Sequence, residues 1–273
     1  RIGVNWDSTE AHAALQALNE REVAAAESPA KSQAMSRISH ELRTPLNAML
    51  GFTQLLEMDP AEPPTDGQRR RLKLVRDAGD HLLRMIGDLL DLTRIEAGSL
   101  PLVLESVALQ PLLQDTLAML QEAAGTMQVQ FDAEGTGAGL YVRADRTRLR
   151  QVLLNLIGNA IKYNRIGGCV ALAARVEGGS VVVEVRDTGH GIAERDRSQL
   201  FTPFHRGGHA HGRIEGSGIG LSLTRSLAML MQGQVELGES TPQGSMFRLT
   251  LPTACARRRR CIELSRGASW VAW

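Results

Sequence analysis

The sequence predicts an α + α/β protein: an antiparallel helical hairpin, closed into a four-helix bundle as a dimer, followed by an α/β sandwich. Apolar residues recur at helical spacing through two long stretches, near 30–58 and 68–97. Between them lies Asp59-Pro60-Ala61-Glu62-Pro63-Pro64-Thr65-Asp66-Gly67, whose prolines and glycine cannot continue a helix. From about Leu102 the pattern changes to short β-branched runs alternating with helical segments, the signature of a mixed sheet with helices on one face.

Composition narrows the class. The 273 residues accommodate more than one domain, and 43% hydrophobic with 22% charged residues is ordinary for a soluble chain. Aromatics are only 4%, which fits a helix-rich, Ala/Leu-rich chain better than a β-sandwich. A formal net charge of +1 argues against nucleic acid or a membrane surface as a general partner. Cys169, Cys255 and Cys261 have no metal-ligand spacing and form no even disulfide set, so a reducing cytoplasm is the expected home. No apolar run is long enough to span a membrane. The chain begins at Arg1 without a signal-peptide pattern and is expected to be part of a longer protein, which an upstream segment could anchor.

Residues 1–10 alternate and end in polar residues, compatible with a strand leaving a sheet or with an arbitrary start. Residues 11–28 form helix readily but carry only the thin seam Leu15, Leu18 and Val23, so a signalling coiled coil and a solvated linker helix are both open for the 11–30 segment. Ser28-Pro29 ends one helix and caps the next, or kinks a continuous one.

In the next helix Ile38, Leu42, Pro45, Met49, Phe52 and Leu56 share one stripe. His40 lies roughly 200° around the helix from Ile38, off the stripe. An imidazole there suits a nucleophile that a substrate must reach, with the carboxylate of Glu41 available to hold the other ring proton. Thr44 shares the His40 face one turn on, and Pro45 removes the helical bond to the Glu41 carbonyl. The second helix carries Leu72, Val75, Gly79, Leu82, Leu83, Ile86, Leu89, Leu90 and Ile95, and Gly98-Ser99-Leu100-Pro101 ends it. A lone hairpin leaves apolar surface exposed, so two copies of residues 31–98 are expected to pair as a homodimer.

Ser39-His40-Glu41-Leu42-Arg43-Thr44-Pro45-Leu46-Asn47 resembles the phosphoacceptor box of the sensor histidine kinases of two-component systems. The resemblance implies His40 as phosphoacceptor, Glu41 as its acid/base partner and Thr44 as the residue that orients water in a reverse phosphatase reaction.

In the remainder, strands are expected at Leu102–Leu104, Val129–Phe131, Leu140–Val142, Val170–Val176, Val181–Val185, Gln234–Gly238 and Met246–Leu251. Helices are expected at Leu109–Ala123, Arg146–Tyr163, Glu194–Leu200 and Ile219–Met231. Asn155, Asn159 and Lys162 share one helix face. Amide oxygens suit Mg²⁺, Lys162 suits phosphate, and Tyr163 is placed to cover a nucleotide. Asp187-Thr188-Gly189-His190-Gly191 follows a strand, where a buried carboxylate accepts from an amino group such as that of adenine and Gly189 and Gly191 admit the base. Phe201 and Phe204 are spaced to anchor a loop, and Gly216, Gly218 and Gly220, with Leu221, open a helix whose amides suit phosphate. The segment between Arg206 and Glu215 has the Gly- and His-rich composition of a lid.

These four motifs, in this order, resemble the N, G1, F and G2 boxes of the histidine kinase ATP-binding domain, a Bergerat-type α/β sandwich shared with gyrase and MutL. The resemblance implies ATP and Mg²⁺ as ligands, with Asn159 as the Mg²⁺ ligand and Asn155 beside it. It implies Asp187 on adenine, Lys162 and Tyr163 near phosphates and ribose, and Gly218 and Gly220 at the phosphates. It extends to domains: a PAS-like remnant over 1–10 (Asp7 and Thr9 match its tail), the hairpin over 31–98, the catalytic domain over 102–252, and a basic tail over 253–273. The implied partner is the receiver domain of a response regulator. His190 and the Pro242-Gln243-Gly244-Ser245 turn depart from the family pattern and are expected not to touch the chemistry. Two rivals stay open here: an ATPase that clamps without transferring phosphate, which would need a carboxylate where Asn155 stands, and an inactive dimeric scaffold.

Overall fold

The computed structural model describes residue 35, residues 37–205 and residues 217–255. The expectations for 1–10, 11–30, the 206–216 segment with Gly216, and the tail beyond 255 lie outside the described residues. The chain divides between Pro101 and Leu102 into two compact units.

In the first unit helix α1 covers residues 37–58 and helix α2 covers Asp66–Glu96. Asp59 shapes the turn: its Oδ1 accepts from the N–H groups of Ala61 at 2.8 Å and Glu62 at 3.3 Å. Thr65 and Gln68 then form a reciprocal capping box, so α2 starts two residues ahead of the expected Gln68. Gly98, at φ +62°, ends it, with the Ser99 N–H on the Arg94 carbonyl. The helices meet along a narrow seam. Ser39, Leu46 and Thr53 are buried at seven-residue spacing on α1. Gly79 of α2 admits Leu50, whose Cδ2 lies 2.6 Å from where a Cβ would stand. Arg76 and Glu57 pair across the two helices. The stripe Ile38, Leu42, Met49, Phe52 and Leu56 is not this seam: it is exposed, Phe52 by 67%. Among the described residues each helix has a single neighbour in the hairpin, and most of the apolar surface of α1 is exposed.

The second unit holds two sheets. Strands β1 (Glu105–Ala108) and β3 (Tyr141–Ala144) form an antiparallel pair. The five-stranded sheet runs β2-β4-β5-β7-β6, from β2 (Gln130–Asp132), β4 (Cys169–Glu177), β5 (Ser180–Asp187), β6 (Gln234–Thr241) and β7 (Gly244–Pro252). Only β2 and β4 are parallel, so the sheet is mixed as expected. Helices α3 (Leu109–Met127), α4 (Arg146–Lys162), α5 (Glu194–Arg197) and α6 (Gly220–Leu230) are the helices among its described residues. Two expectations need correction. The strand expected at Leu102–Leu104 lies at Glu105–Ala108, because β1 is defined by its partner Tyr141–Ala144 rather than by its own apolar run. The helix expected at Glu194–Leu200 is a single turn, Glu194–Arg197, with no buried residue to hold more.

One face of the five-stranded sheet carries the core. Along β5, Val181, Val183 and Val185 are buried, and beside them lie Val170, Leu172, Phe247, Leu249, Leu251 and Val235. Against them α4 turns Leu149, Val152, Leu153, Leu156, Ile157, Ala160 and Ile161 inward. This packing leaves Asn155, Asn159 and Lys162 at the half-buried rim of α4.

Candidate active site

The last residue of β5 is the key to the site. Alternation that buries Val181, Val183 and Val185 also buries Asp187, which is 8% exposed. A lone carboxylate there needs partners. Its Oδ1 accepts from the N–H of Gly189 at 2.8 Å and of Ser245 at 3.3 Å. Burial nevertheless pushes the Asp187 carboxyl above the usual aspartate range, opposed by those two amides and by the charges of Arg165 and His190.

Glycines let backbone close around this carboxylate. A Cβ on Gly189 would stand 2.3 Å from the Tyr163 carbonyl, and one on Gly191, at φ +68°, would stand 1.9 Å from the Thr241 carbonyl. Gly244 of the β6–β7 turn lies just as close: its Cβ would meet the Asp187 carbonyl at 2.0 Å. Both departures from the family pattern therefore reach the site, contrary to expectation. The Ser245 amide holds Asp187, and the His190 N–H donates to the Tyr163 carbonyl at 3.4 Å.

The rim of α4 faces this turn and α6. Asn155 Nδ2 donates to the Thr224 hydroxyl at 2.6 Å, and Asn155 Oδ1 lies 2.5 Å from where a Cβ on Gly220 would stand. That missing side chain leaves an oxygen beside the N-terminus of α6, a donor set suited to a hydrated hard cation between phosphates. Lys162 Nζ lies 5.2 Å from the centre of the Tyr163 ring, so cation and ring are held together at the end of α4. Gly218, at φ +72°, accepts from the Phe204 N–H at 3.0 Å and packs on its backbone. Phe204 itself adopts φ +64° with its side chain exposed, while Phe201 lies under the Arg225 guanidinium at 5.1 Å. Leu221 sits half-buried in the first turn of α6. The structure thus brings Tyr163, Asp187 and Gly189 together at the end of α4, sets Gly191 against Thr241, and places Asn155 against Gly220 further along the helix, with Asn159 and Lys162 on the same rim of α4.

In the first unit His40 and Glu41 are exposed on α1, and the Thr44 hydroxyl donates to the His40 carbonyl at 3.1 Å. Sequence reasoning passed over Asn164, Thr188, Thr224 and Ser245. A polar residue between a helix end and the Gly167-Gly168 pair was the available signal for Asn164.

An exposed helical histidine lies in one unit, and a glycine-lined α/β cradle with a buried carboxylate in the other. Residues 30–98 match the family model of the His Kinase A (phospho-acceptor) domain, and residues 144–254 match that of the histidine kinase-, DNA gyrase B- and HSP90-like ATPases. The chain belongs to the sensor histidine kinases. It is 38% identical over 233 residues to the circadian input-output histidine kinase CikA of Synechococcus elongatus, covering 84% of this chain and 31% of the relative. It is 34% identical over 252 residues to the histidine protein kinase DivJ of Caulobacter vibrioides, covering 90% of this chain and 40% of that one. Among solved structures, full-length ShkA in complex with AMPPNP superposes with a TM-score of 0.67 at 34% identity, over 82% of this chain and 46% of that one. Acinetobacter baumannii histidine kinase AdeS superposes at 0.55 and 25% identity, over 78% and 97%. The chain thus spans between about a quarter and a half of the length of the curated relatives it matches. No described helix is long and apolar enough to cross a membrane.

Proposed function

We propose that this chain is an ATP-dependent protein-histidine kinase that phosphorylates itself on His40 and passes the phosphoryl group to an aspartate of a response regulator. The observation that carries the reading is the pairing, in one chain, of an exposed His40 on α1 with the Asp187–Gly220 cradle of the second unit. The AMPPNP bound by ShkA supports ATP as the nucleotide.

In this reading Asp187 holds Oδ1 on two backbone amides and uses Oδ2 to accept from the adenine amino group. Lys162 and Tyr163 cover phosphate and ribose, and the amides at Gly218 and Gly220 receive phosphate oxygens. Asn159, with Asn155 beside it, would hold Mg²⁺, which supplies positive charge to the phosphates when bound. An unprotonated ring nitrogen of His40 attacks the γ-phosphorus. An N–P bond forms, the bond to the β–γ bridging oxygen breaks, and that oxygen leaves on ADP. Glu41 holds the proton on the other ring nitrogen. Thr44, one turn on, orients water in the reverse phosphatase reaction. Two hairpins pair through the open face of α1 as a homodimer, and the receiver domain of the regulator docks on the hairpin.

Autophosphorylation with γ-labelled ATP and Mg²⁺, comparing the chain with His40→Gln, tests this reading. Acid-labile, alkali-stable label in the first and none in the second is expected. Label that survives the substitution moves the acceptor elsewhere and overturns the assignment.

A further inference from the structure

The end of α4 and the turn after β5 are joined by one buried amide. Asn164 is 4% exposed. Its Nδ2 donates to the Cys169 carbonyl at 3.0 Å, and its Oδ1 accepts from the Thr188 hydroxyl at 3.1 Å and from the Arg165 N–H at 3.0 Å. The Thr188 hydroxyl in turn accepts from the Cys169 N–H at 2.9 Å. Gly168 makes the room: a Cβ there would stand 2.2 Å from Asn164 Oδ1 and 2.8 Å from Thr188 Oγ1. Here the bonds reach the exit of α4, the first residue of β4 and the turn that follows Asp187. The Arg165 guanidinium adds a bond to the Gly189 carbonyl at 2.9 Å, on the same turn.

We propose that Asn164 is a positioning residue for base recognition: through Thr188 it fixes the Asp187 turn against the end of α4 that carries Lys162 and Tyr163. The inference rests on the nucleotide reading above. Asn164 makes no contact with the base; it acts through Asp187. A carboxylate anchored by one oxygen aims the other only as well as its turn is held. Guanine presents a carbonyl oxygen where adenine presents its amino group, so it gains nothing from a well-aimed carboxylate. Asn164 therefore contributes to the preference for adenine and not to nucleotide binding at large.

The test is the dissociation constants of ATP and GTP, measured by displacement of a fluorescent nucleotide in Mg²⁺, for the whole chain and for Asn164→Ala, Thr188→Val and Thr188→Ser. Asn164→Ala and Thr188→Val are expected to weaken ATP roughly tenfold, the scale of a lost buried hydrogen bond, and GTP less than about twofold. Thr188→Ser, which keeps the hydroxyl, is expected to keep the discrimination. Equal losses for ATP and GTP would show a merely structural role and overturn the proposal. Unchanged ATP affinity in a soluble Thr188→Val, which keeps the side-chain shape, would overturn it even if Asn164→Ala failed to fold. Absence of ATP binding by the unmodified chain would sink the nucleotide reading itself, and this inference with it.

Discussion

Two opposing influences act on the Asp187 carboxyl. Burial favours the neutral acid, and only the amides of Gly189 and Ser245 and the charges of Arg165 and His190 oppose it. This makes its pH response two-sided. The folded carboxyl titrates above its unfolded value, so the native state takes up a proton more readily than the unfolded chain. The Asp187 contribution to stability therefore improves as pH falls through the raised value toward the ordinary aspartate range. A protonated carboxyl accepts poorly from an amino group, so ATP affinity falls over the same window. Calorimetric titration of ATP as pH is lowered from neutrality is expected to show weakening that Asp187→Asn, already weak, does not share. A parallel decline in the variant would place the titrating group elsewhere. The same residue shows what was legible from sequence. Alternation in β5 and the glycines after it mark Asp187. Its partner Ser245 is 58 positions away and the Thr188 partner Asn164 is 24 away, and nothing local announces either.

Helix α4 carries the rim of the site, and its start is set by Asp145. Oδ1 of that residue accepts from the N–H groups of Thr147 at 2.9 Å and Arg148 at 3.1 Å. Oδ2 accepts from the Val103 N–H at 3.0 Å. One side chain thus caps α4 and ties down the chain that enters the second unit. Asp145→Ala removes both functions and is expected to destabilise that unit by about 1–2 kcal/mol, read as a melting temperature a few degrees lower. Asp145→Asn keeps an acceptor for the helix and is expected to recover most of the loss. Equal melting temperatures for the wild type and Asp145→Ala would mean that solvent replaces the cap at no cost. The Val103 bond also explains a misplaced strand. Leu102-Val103-Leu104 has strand-like composition, but Val103 spends its amide on Asp145, and pairing begins only where Glu105 meets Ala144. Composition reports what a segment prefers; pairing depends on which partner is in reach. The Thr65–Gln68 capping box, by contrast, is made of local residues, yet the helix it starts at Asp66 was expected only from Gln68.

At the scale of the whole molecule, the open face of α1 calls for a partner. Ile38, Leu42, Met49, Phe52, Leu55 and Leu56 are each at least 48% exposed, and Leu74 and Val75 of α2 are exposed as well. Each such side chain contributes roughly 1.5–3 kcal/mol when fully buried, and a soluble protein does not leave so many together without use. Sequence periodicity identified this stripe, and the structure leaves it outside the hairpin seam. The seam inside the hairpin uses Ser39, Leu46 and Thr53, with Leu50 set against Gly79, and the residues of the exposed stripe point elsewhere. A second hairpin, presenting the same face, satisfies both copies at once. Placing two glutamates in that face, as Phe52→Glu with Leu56→Glu, would bury unpaired charges in the pair. Dimer affinity is expected to fall at least about a thousandfold, on the order of 4 kcal/mol, as read by sedimentation velocity. The cradle residues from Asn155 to Gly220 all belong to the second unit. ATP affinity of the double variant is therefore expected to stay within about twofold of the wild type, which separates loss of pairing from loss of folding. A variant that still sediments as a dimer would mean that the chain pairs through another surface, and that the exposed stripe serves a different partner.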